Sequence, residues 1–139
     1  MIRPVDAARP PAVRTPRENT VLVAEDNEAL LVVATRVLES AGYRVLTARD
    51  GVEAVEVLRA RGEAVDLLIT DVTMPRMSGH ELATHFTEIQ PGGLLLFMTG
   101  SLDEDSVPRS FDPTLSILQK PFSAQALIDR VKQIIGAAA

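Results

Sequence analysis

The sequence has no cysteine, which excludes disulfides, thiolate metal sites and cysteine nucleophiles together. It has no tryptophan and one tyrosine, and aromatics reach only 4% of its 139 residues, so a core built from it is aliphatic. Long apolar runs are also missing. Stretches such as 29–34 and 94–98 fall far short of the roughly 18 residues that a membrane-spanning helix needs. The start, with Arg3, Pro4 and Asp6, lacks an apolar secretory segment. A cytoplasmic setting with no membrane partner is the expectation.

Positive charge is scarce where it would matter. The net charge is −5, but Arg3, Arg9, Arg14 and Arg17 against Asp6 and Glu18 give residues 1–18 a balance of +2, leaving −7 for residues 19–139. A folded unit of that sign does not attract phosphate backbones, so no nucleic acid is expected as a partner. Residues 1–18 also carry Pro4, Pro10, Pro11 and Pro16 and few large apolar side chains, the composition of a disordered arm or linker. Residues 19–139, in a chain that is 46% hydrophobic, suffice for one domain.

Two hydrophobic periods alternate along that domain. Residues 20–25 (TVLVAE) predict a strand, with Asp26 and Asn27 as cap candidates for a helix reaching about Ala41. Gly42 ends that helix, residues 43–47 predict a second strand, and Asp50 with Glu53 opens a helix over Val52, Val55 and Leu58. A third strand is predicted at 65–70, a third helix at 79–89 with Leu82, Ala83, Phe86 and Ile89 on one face, and a fourth strand at 94–99. Between 101 and 113, Pro108 and the poor spacing of Leu102, Val107 and Phe111 predict a short or irregular helix. A fifth strand follows at 115–118, then a helix capped by Ser123 through Leu127, Val131, Ile134 and Ile135. The expected fold is α/β, a flavodoxin-like doubly wound five-stranded parallel sheet in the order 2-1-3-4-5. The last helix is expected to end near Ile135, which leaves no room for a DNA-binding or enzymatic output domain.

Ligands in such sheets bind beyond the carboxyl ends of the strands. The polar residues there are Glu25 and Asp26 after strand one, Asp71 after strand three, Thr99 at the end of strand four, and Lys120 with Pro121 after strand five. Three carboxylates converging on one volume repel unless a cation offsets them. Oxygen ligands without cysteine or a strand-end histidine suit a hard ion that keeps its waters, the Mg2+ pattern. Beside such an ion, Asp71 is the best candidate nucleophile for a phosphoryl group, with Lys120 and the Thr99 hydroxyl able to meet the transferring oxygens. The loop from Val72 to Gly79 has its path fixed by Pro75 and Gly79.

These residues resemble the receiver domains of two-component response regulators. The matching pieces are Glu25 and Asp26 after VLVA, Asp71 within LLITDVTMPRMSG, Thr99 before Gly100, and Lys120 before Pro121 and Phe122, over about residues 20–135. The resemblance implies that Asp71 is phosphorylated by a histidine kinase or a histidine phosphotransfer protein. It implies Mg2+ on Asp26, Asp71 and the Thr73 carbonyl, with Glu25 contacting it through water, and Thr99 and Lys120 on the phosphoryl oxygens. It also implies a cis bond between Lys120 and Pro121. The domain would be a signalling phosphoacceptor rather than an enzyme, assisting only its own phosphorylation and dephosphorylation, and either stands alone or is cut from a longer protein.

Two departures stand out: Ile117 occupies a position where many receivers carry Tyr or Phe, and the Pro108 segment lies where they often have a regular helix. Both features resemble receivers attached to hybrid sensor kinases. A haloacid-dehalogenase-type phosphatase also uses a strand-end Asp and Mg2+, but it needs a second Asp two residues later, where Thr73 stands. A binding-only pseudo-receiver is the other alternative, disfavoured by the complete set of five residues. Singly, each acid could be a helix cap or turn former. Asp103, Glu104 and Asp105 are expected to face water. His80 and His85 lie off a shared helical face, so neither a metal nor a phosphohistidine role is expected. Met74 and Met77 are expected to pack the loop.

Overall fold

A computed structural model describes residues 19–61, 65–100 and 117–138. The expected arm at 1–18, the irregular helix at 101–113 with its acidic run, and the start of the fifth strand lie outside them. The described elements are β1 (Thr20–Ala24), α1 (Glu28–Ser40), β2 (Arg44–Ala48), α2 (Gly51–Arg61), β3 (Leu67–Asp71), α3 (Gly79–Ile89), β4 (Leu94–Thr99), β5 (Ile117–Gln119) and α4 (Ala124–Ala138). The five strands form one parallel sheet in the order β2-β1-β3-β4-β5, as the pattern predicts.

Period-two alternation sends each strand's side chains to both faces, and both are covered. Leu22, Ala24, Leu68, Leu95 and Phe97 pack with Ala54, Leu58, Leu82 and Phe86 of α2 and α3. Val21, Val23, Leu67, Ile69, Leu96 and Met98 pack with Leu31, Leu38, Leu127 and Val131 of α1 and α4 on the opposite face. Such doubly covered strands read as continuous apolar runs, which is why β1, β3 and β4 stand out in the sequence. Phe86 and Phe97 are fully buried in the first layer; truncating either to Ala would cost about 3–5 kcal/mol through lost transfer energy and the cavity left behind.

Helix starts follow local chemistry. Of the two cap candidates before α1, Asn27 takes the role, its side chain accepting from the Leu30 amide at 3.0 Å. At α2 the Asp50 carboxylate accepts from the Glu53 amide at 2.8 Å, and Glu53 reaches back to the amide of Arg49 rather than that of Asp50. α3 opens with a full capping box of Ser78 and Glu81, a motif absent from the sequence reading.

Several boundaries differ from expectation: β1 stops at Ala24, and β3 and β5 each run one residue further, to Asp71 and Gln119. β3 begins at Leu67 because the Asp66 carboxylate turns back to accept from the Thr20 amide at 2.7 Å, which ties the entries of β1 and β3 together. β2 is shifted one residue onward to Ala48, with Tyr43 buried just before it. α4 runs on to Ala138, past Ile135. Alanine is the strongest helix former, and a single glycine at 136 does not stop a helix that has already propagated. Among the described residues, no helix is long and apolar enough to cross a membrane. Met74 is buried, and Met77 packs against the same layer.

Candidate functional site

Strand register determines what meets at the carboxyl edge. Ala24 pairs with Thr70, so Glu25 and Asp71, each one residue further along, stand side by side at adjoining strand tips. Asp71 in turn pairs with Met98, and Thr99 with Gln119. Thr99 and Lys120 therefore close the row, with the Lys120 amide donating to the Thr99 carbonyl at 2.8 Å. Hydrophobic layers on both sides bury these tips: Glu25 is 1% exposed, Asp71 5% and Thr99 7%.

Glu25 is held at both oxygens. Oε2 accepts from the Asn27 amide at 2.8 Å, and Oε1 accepts from Lys120 Nζ at 2.8 Å. The same ammonium lies 2.5 Å from Oδ1 of Asp71. The peptide bond between Lys120 and Pro121 is cis, as the resemblance implies. Asp26 is exposed at the mouth, and one carboxylate oxygen each from Glu25, Asp26 and Asp71 fall within 4.8 Å of one another. Thr73 sits two residues past Asp71, exposed in the loop that leads to α3.

Two features of this neighbourhood escaped the sequence reading. One is the Asn27 backbone as a partner for Glu25, which follows from the tight turn that starts α1. The other is how closely α3 abuts Asp71: a Cβ on Gly79 would come within 2.1 Å of the Asp71 carbonyl oxygen. The glycine following Ser78 was the available signal.

Electrostatics divide the two buried acids. Burial, and then the adjacent Glu25 carboxylate, push Asp71 up to about 8, with Lys120 only partly opposing them. Burial also works against ionisation of Glu25, but hydrogen bonds from Asp71, Lys120 and the Asn27 amide outweigh it and leave its carboxyl below the ordinary value. Burial lowers Lys120, yet its two carboxylate partners hold it above the ordinary value. Without a further cation, Asp71 is thus the harder of the two acids to ionise. Two buried acids and a third at the mouth, with no histidine or cysteine grouped with them among the described residues, fit a small divalent ion with oxygen ligands. A second cation beside the ammonium would let both buried acids ionise.

A doubly wound α/β domain with an acidic cluster and one lysine at the carboxyl edge of its sheet is the architecture of a signalling receiver. The chain belongs to the response regulator receiver domain family, whose model matches residues 21–132. It is 37% identical over 123 residues to the response regulator receiver protein CpdR of Brucella abortus (strain 2308), covering 85% of this chain and 98% of that protein. It is 36% identical over 118 residues to the sensor kinase CckA of the same organism, covering 84% of this chain and 12% of the kinase. Among solved structures, a response regulator receiver protein from Sinorhizobium medicae WSM419 matches with a TM-score of 0.76 at 30% identity, over 87% of this chain and 97% of that one. The receiver domain of a hybrid histidine kinase CckA matches with a TM-score of 0.68 at 33% identity, over 84% and 99% respectively.

Proposed function

We propose that Asp71 is the phosphoacceptor of this receiver domain, charged by a histidine kinase or a histidine phosphotransfer protein within a phosphorelay. The supporting observation is a buried carboxylate in direct contact with Lys120 and within 4.8 Å of two further acids. In the transfer, an Asp71 carboxylate oxygen forms a bond to phosphorus while the bond from phosphorus to the donor's imidazole nitrogen breaks, its electron pair leaving with the imidazole. The product is an acyl phosphate. Lys120, already at Asp71, turns to the phosphoryl oxygens, and the Thr99 hydroxyl donates to another of them.

Glu25, Asp26, Asp71 and the backbone carbonyl of Thr73 would hold Mg2+, Glu25 through water. Bound there, the ion supplies positive charge against the oxygens of the transferring group. The likeness to a sensor kinase and to a receiver protein of nearly this length supports a place in a relay, and we set the exchange in the cytoplasm, the compartment that supplies the kinase with ATP.

The test is incubation with acetyl phosphate and Mg2+, followed by intact-protein mass spectrometry. The parent is expected to gain one phosphoryl group and Asp71→Asn none. Equal labelling of both would remove Asp71 from its role. Continuous turnover of an external phosphate ester would point instead to a phosphatase.

A further inference from the structure

The loop between β3 and α3 contains a backbone conformation that side chains with a Cβ rarely adopt. Arg76 has φ 67°, and among the described residues it is the only non-glycine residue with positive φ. The Met77 amide donates to the Pro75 carbonyl at 2.7 Å, so residues 75–77 form a γ-turn centred on Arg76, and the positive-φ form of that turn is rare and strained. Contacts outside the turn must hold it in place.

Those contacts come from the start of α2. Arg76 Nη2 and Nε lie 2.7 and 2.9 Å from Oδ2 of Asp50. Asp50 is itself anchored, since its other oxygen accepts from the Glu53 amide at 2.8 Å and its side chain is only 14% exposed. Next to the pair, Met77 covers Gly51 so tightly that a Cβ there would fall 2.7 Å from the Met77 Cβ. At its near end the loop closes through the Gly79 amide, which donates to the Val72 carbonyl at 2.8 Å. Thr73 thus lies between a closure at the edge of the sheet and an ionic fastening on a neighbouring helix.

We propose that the pair of Asp50 and Arg76 is a latch on the loop that follows Asp71, and that Arg76 is a positioning residue for the cation site, acting through the backbone at Thr73. This rests on the assignment of Asp71 and Thr73 as cation ligands. Arginine suits the task because its planar fork presents two donors to one carboxylate oxygen while the stem stays in the loop. The pair crosses between two loops, so losing it frees the turn to relax and leaves the sheet intact.

Arg76→Ala removes the latch and keeps the strained position, whereas Asp50→Asn removes the charge and keeps a good helix cap. Hydrogen exchange of the metal-free protein reads the loop directly, and Mn2+ titration followed by electron paramagnetic resonance reads the site. Each variant is expected to exchange faster at residues 72–78, with β1 and β4 unchanged. Because Arg76 is largely exposed, each is also expected to bind Mn2+ only about two- to five-fold more weakly, and the double variant no more weakly than either single one. Unchanged loop exchange with unchanged Mn2+ affinity in both variants, or additive losses in the double variant, would overturn the latch. If the parent binds no Mn2+, the cation-site assignment fails while loop exchange still decides whether the fastening exists.

Discussion

The ammonium of Lys120 lies 2.5 Å from Oδ1 of Asp71 and also serves Glu25. One positive charge therefore faces two buried acids. That imbalance governs how the domain should respond to pH, to divalent ions and to substitution at the strand tips.

Removing the charge of Asp71 is expected to stabilise the metal-free protein at alkaline pH. Its pKa is raised to about 8 in the fold, so its stabilising contribution is fully present below the unfolded carboxylate value and is lost as pH rises through about 8. Asp71→Asn should thus melt higher than the parent at pH 8.5 by about 1–2 kcal/mol, roughly 5 °C for a domain of this size. The gap should narrow toward pH 5. Thermal melts in a chelator check this; a gap that widens on acidification would contradict it.

Mg2+ binding should release protons. As the proposed ligand, Asp71 would have to ionise, so apparent affinity is expected to rise with pH below about 8, by up to about tenfold per unit, and to level off above. At a hundred times the dissociation constant, the ion should stabilise the fold by about 2.7 kcal/mol. Calorimetry in two buffers of different ionisation enthalpy counts the protons directly, and a count of zero at pH 7 would argue against this coupling.

Lys120→Met keeps most of the stem and removes the ammonium, leaving Glu25 and Asp71 to face each other. A loss of about 1–3 kcal/mol is expected at pH 8. It should shrink toward pH 5 as Asp71, raised to about 8, takes up a proton and no longer needs the ammonium; Lys120, held above its ordinary value by its carboxylate partners, stays charged across this range. Urea unfolding at the two pH values measures the difference. Labelling by acetyl phosphate should slow without vanishing.

Gly79→Ala is a steric test. The added methyl would meet the Asp71 carbonyl oxygen at 2.1 Å, forcing the start of α3 away from the end of β3. A loss of about 2–4 kcal/mol is expected, together with weakened divalent-ion binding. An alanine variant as stable as the parent would show that the helix start has slack.

The elements and their order were legible because the helices carry a 3.6-residue apolar period and the strands, covered on both faces, are short continuous apolar runs between turn residues. Runs such as VLVA and LLIT, too short for helices and bounded by turn residues, read as strands covered on both faces, and once their order followed, the acids at their ends had to share one edge. Boundaries were less legible wherever a polar side chain reached across the sheet, as Asp66 does to Thr20. Asp26 and Asn27 looked equivalent as caps, and only the turn into α1 assigned the cap to Asn27 and left Asp26 at the mouth of the acidic cluster.

The sequence by itself determined the parallel sheet, its strand order and the set of polar residues at its carboxyl edge, because these depend on local period and on connection rules that hold for any chain. Tertiary structure alone decided which buried acid is harder to ionise. Glu25 and Asp71 are both strand-end carboxylates in the sequence, but the Asn27 amide and Lys120 favour ionisation of Glu25, while burial and Glu25 itself work against Asp71. It also decided the fastening of Arg76 to Asp50, which joins segments with no shared local pattern. Such pairings depend on distances between elements far apart in the chain, and only packing fixes those.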